Sequence, residues 1–279
     1  MKLWRAGCPM ALAVLTCMGT AQAAAFPSYE AVYELRLTHA SATTGPRAAV
    51  GTMESRFAET CDGWDTKSRV YLALAFRDGS EYQNERLFSS WEGKNGKDYT
   101  FTARTTKNGE IVEDYKGKAA ITRRGASAKY EVPRVEGRKR VRPIVVDLPR
   151  DVQFPVAHSK ALLAHAARGD LLFRGLVLNG ASSNGPRVTS VAIGPRVASA
   201  KPNVSSDIDA DLIDTHFWRL STAVFNLGEM SDTPKFELTG LLHESGVTES
   251  FEQRFGDFSI SAKLTRLRGL PTPDCAKKR

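Results

Sequence analysis

Tyr29-Glu30-Ala31-Val32-Tyr33-Glu34-Leu35-Arg36-Leu37-Thr38 sets how the rest of the chain is read. Tyr29, Ala31, Tyr33, Leu35 and Leu37 alternate with Glu30, Glu34, Arg36 and Thr38. A period of two puts one face of a strand on a core and the other in water. The pattern returns from Trp64 to Leu74, where Trp64, Val70, Leu72 and Leu74 share a face, and again at Tyr99, Phe101 and Ala103. Shorter runs follow around Ile111, Tyr130 and Val145, over Leu171 to Leu178, and near Val188, Phe217, Phe236, Phe251 and Phe258. Between them stand Asp78-Gly79, Asn95-Gly96, Asn108-Gly109, Asn179-Gly180 and Asn184-Gly185. These dipeptides supply the positive φ angles of tight hairpins. The expectation is an all-β antiparallel meander, since parallel pairing needs crossover helices that the sequence lacks.

One segment breaks the rhythm. Phe154-Pro155 leads into an alanine- and leucine-rich stretch, about residues 156–168, that Gly169 stops. Helix propensity and the terminal glycine predict one main α-helix. Val156, Leu162, Leu163 and Ala166 give it an apolar stripe to lay on a sheet face or plug an opening. Ala198 to Asp214 reads as an extended, partly mobile loop.

Residues 1–23 read as a secretory signal peptide. Lys2 and Arg5 precede a short apolar run, and Ala21-Gln22-Ala23 is a small-x-small cleavage site. Cys17 raises the alternative of lipid attachment, but Thr16 stands where that chemistry wants a small residue. Export to the periplasm is the expectation, with 24–279 as a single domain. No later segment is apolar enough to span a membrane. Cleavage removes Cys8 and Cys17 and leaves Cys61 and Cys275. In an oxidising compartment one remaining pair closes as a disulfide; the alternative is two unrelated buried thiols.

With 25% charged and 42% hydrophobic residues the composition is that of a globular protein. Losing Lys2 and Arg5 lowers the formal charge from +8 to +6. That mild excess permits contact with anionic envelope material, and nucleic acid is not an expected partner because no basic helix or aromatic–basic stripe appears. Arg134, Arg138, Lys139, Arg140 and Arg142 form a basic run that either contacts phosphate-bearing headgroups or is a solvated connector.

Catalytic and metal motifs are wanting. His158 and His165 are seven apart on the predicted helix, whereas zinc ligands on one helix sit four apart. Asp207-Ile208-Asp209-Ala210-Asp211 starts like a calcium loop, but Leu212 replaces the required glycine and Trp218 the bidentate glutamate. No Gly-x-Ser-x-Gly elbow is present, and an oxidised Cys61 has no thiolate to attack with. Glu110 with Glu113 and Asp114 is a carboxylate cluster of a kind any charged chain contains. No cofactor or metal is expected. Trp64, Trp91 and Trp218 are read as core.

Taken in order, several short stretches resemble the EipB-like family of cell-envelope integrity proteins. They are Cys61-Asp62-Gly63-Trp64, then Leu148-Pro149 with Phe154-Pro155, then Phe217-Trp218-Arg219-Leu220 and Pro234-Lys235-Phe236-Glu237-Leu238. His243-Glu244-Ser245-Gly246-Val247, Phe255-Gly256-Asp257-Phe258 and Cys275 complete the set. The resemblance implies an open, spirally wound antiparallel β-barrel with a terminal clasp disulfide joining Cys61 to Cys275. It also implies a periplasmic, non-enzymatic role in envelope integrity and stress resistance, through a partner protein, peptidoglycan or anionic lipid. Two alternatives stand beside it: a lipid or lipoprotein carrier using a concave apolar sheet face, and a periplasmic hydrolase with an unrecognised site.

Overall fold

The structure is a computed structural model that describes residues 26–131, 143–181, 185–198, 206–213, 216–228 and 233–277. The predicted signal peptide therefore lies outside the described residues, as do Arg134, Arg138, Lys139, Arg140 and Arg142.

Eight strands run from the N-terminal side: β1 (Tyr29–Ala40), β2 (Ala48–Glu59), β3 (Gly63–Ala75), β4 (Glu81–Gly93), β5 (Asp98–Lys107), β6 (Glu110–Thr122), β7 (Gly125–Glu131) and β8 (Ile144–Leu148). The helix α1 (Pro155–Ala167) follows. Six more strands follow among the described residues: β9 (Leu172–Val177), β10 (Arg187–Ala198), β11 (His216–Asn226), β12 (Phe236–His243), β13 (Thr248–Arg254) and β14 (Phe258–Gly269). All fourteen join one antiparallel sheet in the order β8-β7-β6-β5-β4-β3-β2-β1-β14-β13-β12-β11-β10-β9.

Every neighbour in that order is also a neighbour in sequence, except β1 and β14. Those two pair from Tyr29 with Gly269 to Ala40 with Phe258, and so place both ends of the domain in the middle of the sheet. The outermost strands, β8 and β9, do not pair as a ladder. A single parallel bridge, Gln153 to Val177, spans the seam. The N–H of Gln153 donates to the carbonyl of Leu176 at 2.8 Å, and the N–H of Leu178 to that of Gln153 at 3.0 Å. The barrel is open, and the meander, helix and open spiral expected from sequence are all present.

The hairpin chemistry follows the turn residues. Asn108 and Gly109 take φ of 51° and 82°, the two positive values that a tight turn between right-twisted strands requires. Strands β2 and β4 fall between the runs picked out by alternation. Their inner positions include Ser55, Arg86, Ser90 and Glu92, so the period-two hydrophobic signal is diluted.

Three apolar clusters fill the interior. Tyr99, Phe101, Tyr115 and Tyr130 of β5–β7 pack with Phe154 and Leu178. Tyr33, Leu35, Ile260 and Leu264 of β1 and β14 pack with Ile213 and Val247. Leu162, Leu163 and Ala166 of α1 pack with Phe173, Val191, Ile193 and Trp218. The stripe read on the helix thus faces β9–β11, as expected. The described part of the expected mobile loop is tied down: Ile208 bridges Leu267, and Ile213 is buried.

Candidate functional site

The helix is held at both ends. At its C-terminus Gly169 has φ of 81°, its N–H donates to the carbonyl of Ala166 at 3.0 Å, and the N–H of Asp170 reaches that of His165 at 3.1 Å. This is a Schellman cap, which only a left-handed residue completes cheaply. At the N-terminus Phe154 has no side-chain oxygen to cap with. Glu92 of β4 does it instead: its carboxylate accepts from the N–H of Val156 at 2.7 Å and of Ala157 at 2.9 Å. Glu92 is 2% exposed, and burial pushes its pKa above the ordinary glutamate value. A negative group at the positive end of a helix is the favourable arrangement. Lys160 adds a cation 3.8 Å from the centre of the Trp64 ring, and Phe154 stacks on Tyr99 at 5.0 Å.

So anchored, α1 leaves space beside it. A cavity of about 310 Å³ lies between the helix and β11–β13, lined by Leu162, Leu163, Leu220, Leu238, Leu242 and Phe251 among others, with no charged side chain. A smaller one of about 160 Å³, lined by Phe26, Tyr29 and Phe57, also touches Ser159 and Gly246, which line the first.

The turn after β9 enters the other half of the barrel. Tyr99 donates its hydroxyl to the carbonyl of Asn179 at 2.8 Å, and Tyr115 to that of Gly180 at 3.0 Å. Gly180 has φ of 65°, and a Cβ there would stand 2.5 Å from Phe101 Cγ. Glycine is required on both counts.

On the solvent face of β2–β7 the side chains form rows across the strands. Arg56, Lys67, Ser89, Thr102, Lys116 and Glu131 are successive register partners. The two hydroxyls are 2.7 Å apart. This row divides two open troughs, of about 780 and 560 Å³, both of which it lines. Trp91 lines the smaller trough and is half-buried on this outer face, which corrects its reading as core. Its indole lies against Gly63, where a Cβ would come within 2.5 Å of Nε1. Trp64 and Trp218 are buried, as expected.

Cys61 and Cys275 are bonded to each other, with Cα atoms 5.5 Å apart. The disulfide ties the tail after β14 to the β2–β3 turn. His158 and His165 do not converge on a ligand site. His158 shares a 2.8 Å hydrogen bond with the Thr189 hydroxyl, and burial pushes its pKa down to about 4. His165 pairs with Asp170 at 2.8 Å. Asp209 turns back to accept from the N–H of Asp211, as a local turn does. Among the described residues no three His, Cys, Asp or Glu side chains group as a metal site, and no helix is long and apolar enough to cross a membrane. Sequence reasoning missed Glu92, Lys160 and the Lys67–Lys116 row. Glu92 lies 64 residues from its partner N–H on Val156, and the row exists only once strand register is known.

Comparison with known proteins agrees with this architecture. The cell envelope integrity protein EipB of Brucella abortus (strain 2308) is 23% identical over 241 residues, spanning 86% of this chain and 82% of that protein. A crystal structure of a β-barrel-like protein of domain of unknown function DUF1849, also from Brucella abortus, superposes with a TM-score of 0.78. It is 22% identical, and the match covers 88% of this chain and 99% of that one. The EipB-like family model matches residues 20–271, nearly the whole described barrel, and the chain belongs to the EipB-like family.

Proposed function

We propose that the protein works in the periplasm as a non-enzymatic factor supporting envelope integrity and stress resistance, by binding an envelope component or a partner protein. The observation that carries this is its kinship, over most of its length, with a relative named for envelope integrity. The charged troughs on β2–β7 and the disulfide fit a binding protein of an oxidising space. The test is deletion in the native host with detergent challenge, paired with recovery of partners from envelope extract on the oxidised protein. Sensitised cells, rescued by the intact gene, and a reproducible envelope component on the protein are expected. Indifference of the deletion strain to envelope stress, or cleavage of peptidoglycan or a simple ester by the pure protein, overturns the reading.

A second reading is a lipid or lipoprotein carrier. It rests on the uncharged cavity beside α1, because an apolar void is poorly hydrated and favours apolar occupants. Native mass spectrometry of freshly purified protein then shows acyl chains that Thr222→Phe, which fills the cavity, excludes. A bare protein mass refutes it.

A further inference from the structure

The outer face of β2–β7 breaks a rule that the rest of the sheet keeps. Directly opposite residues on neighbouring strands avoid like charges, because such pairs are destabilising. Elsewhere on the outer face of the sheet cations meet acids: Arg104 bonds Asp114 directly opposite at 2.8 Å, Arg69 bonds Glu85 on the diagonal at 2.7 Å, and Arg268 of β14 bonds Glu30 of β1 at 3.0 Å. Arg56 nevertheless stands opposite Lys67, and Lys118 opposite Lys129. Arg56 reaches Glu30 at 3.3 Å, and Lys116 and Lys129 share Glu131 at 3.1 Å each, whereas Lys67 and Lys118 have no carboxylate partner among the described residues. Between the two cationic pairs the side chains are short: Ser89 and Thr102 in one row, Thr100 in the next. The result is a recessed hydroxyl floor. Lys67 and Lys116 flank it as its immediate register neighbours, and the Trp91 ring lies beside it, held against the sheet by Gly63.

We propose that this floor binds an anionic saccharide chain. A phosphate or carboxylate sits on the Ser89 and Thr102 hydroxyls between the Lys67 and Lys116 ammonium groups, and a neighbouring sugar ring lies on Trp91. Ser89 and Thr102 bond each other at 2.7 Å, which leaves one O–H to donate outward; with Lys67 and with Lys116, which also reaches Glu131 at 3.1 Å, it forms a cradle for a single anion. The half-buried Trp91 ring beside it supplies a flat apolar surface for the C–H face of a sugar. The recess and the flat ring suit an extended sugar chain better than a bilayer, whose headgroups would meet the projecting rows first. The ligand also answers the charge of Lys67, whose opposite neighbour Arg56 already has Glu30 at 3.3 Å. This deepens the proposal that the protein binds an envelope component, and rests on it.

The experiment titrates oxidised full-length protein calorimetrically with the phosphorylated core oligosaccharide of a lipopolysaccharide freed of its acyl chains. The same oligosaccharide after phosphatase treatment and vesicles of phosphatidylglycerol are run alongside. Binding that weakens at least tenfold in Lys67→Gln/Lys116→Gln, in Trp91→Ala and on dephosphorylation is expected, with the lysine variant melting no lower than the parent. Equal binding by the lysine variant, no binding by the parent protein, or binding to vesicles alone overturns the site. Should the lysine variant still recover the same envelope component from extract, the site falls while the broader envelope function stands.

Discussion

Replacing Glu92 with alanine should unlatch the helix. The carboxylate receives two backbone hydrogen bonds, at 2.7 and 2.9 Å, from N–H groups that have no other acceptor within the helix. A hydrogen bond to a charged group contributes about 1.5–3 kcal/mol, so the pair holds about 3–6 kcal/mol before the cost of burying the charge. That cost is real, because burial raises the pKa of this group despite both bonds. We expect a net loss of about 2–4 kcal/mol for Glu92→Ala, and less for Glu92→Gln, which keeps one acceptor. Urea unfolding, followed by tryptophan fluorescence and by circular dichroism at 222 nm, measures it. The dependence on pH adds a second check. With its folded pKa raised above 4.5, the native state holds the Glu92 proton more tightly than the unfolded chain does. The Glu92 contribution is therefore greatest in acid and falls as pH climbs through the folded pKa. The stability gap between the parent and Glu92→Gln should narrow over that climb. A loss under about 1 kcal/mol in Glu92→Ala refutes the latch, and a gap that widens with pH refutes the raised pKa.

Three further outcomes follow from the same geometry. His158 has a folded pKa of about 4, so the unfolded chain takes up its proton first. Stability should fall by up to about 3 kcal/mol as pH drops from 6.5 to 4; the same slope in His158→Gln would dismiss that origin. Gly180→Ala forces a side chain into left-handed backbone and into the Phe101 ring. A loss of about 2–4 kcal/mol in urea is expected, and a neutral result would show that the turn does not seat in the β5–β6 pocket. Opening Cys61–Cys275, which are 214 residues apart, should cost at most about 5 kcal/mol in the chain-entropy model. A urea midpoint unmoved by reductant would show that the clasp contributes no stability.

What the sequence made legible was whatever depends on neighbours in the chain. The alternation of Tyr29 to Leu37, the Asn108-Gly109 turn and the Gly169 stop are local signals, and each sits where it was read. Strand β4 was not legible, because its inner face carries Arg86, Ser90 and Glu92, polar residues serving distant partners. Arg86 reaches Glu113 and the carbonyl of Ala181, while Glu92 reaches the helix. The same holds for the surface. Lys67 and Lys116 look like ordinary solvated lysines until hydrogen bonding sets them in one line with Ser89 and Thr102. Trp91 was misjudged for a related reason: parity along β4 places it outside, and the glycine that seats it belongs to β3.

The pairing of β1 with β14 bears on how the protein is made. Strand order runs β9 to β14 and then β1 to β8, so an artificial gene fusing the old ends and opening the chain between α1 and β9 would encode a purely sequential ribbon. The natural arrangement instead leaves the first strand waiting, with one side bare, until the last has been synthesised. Folding therefore cannot finish while the chain is still being made, and the rearranged gene should yield a faster-folding product.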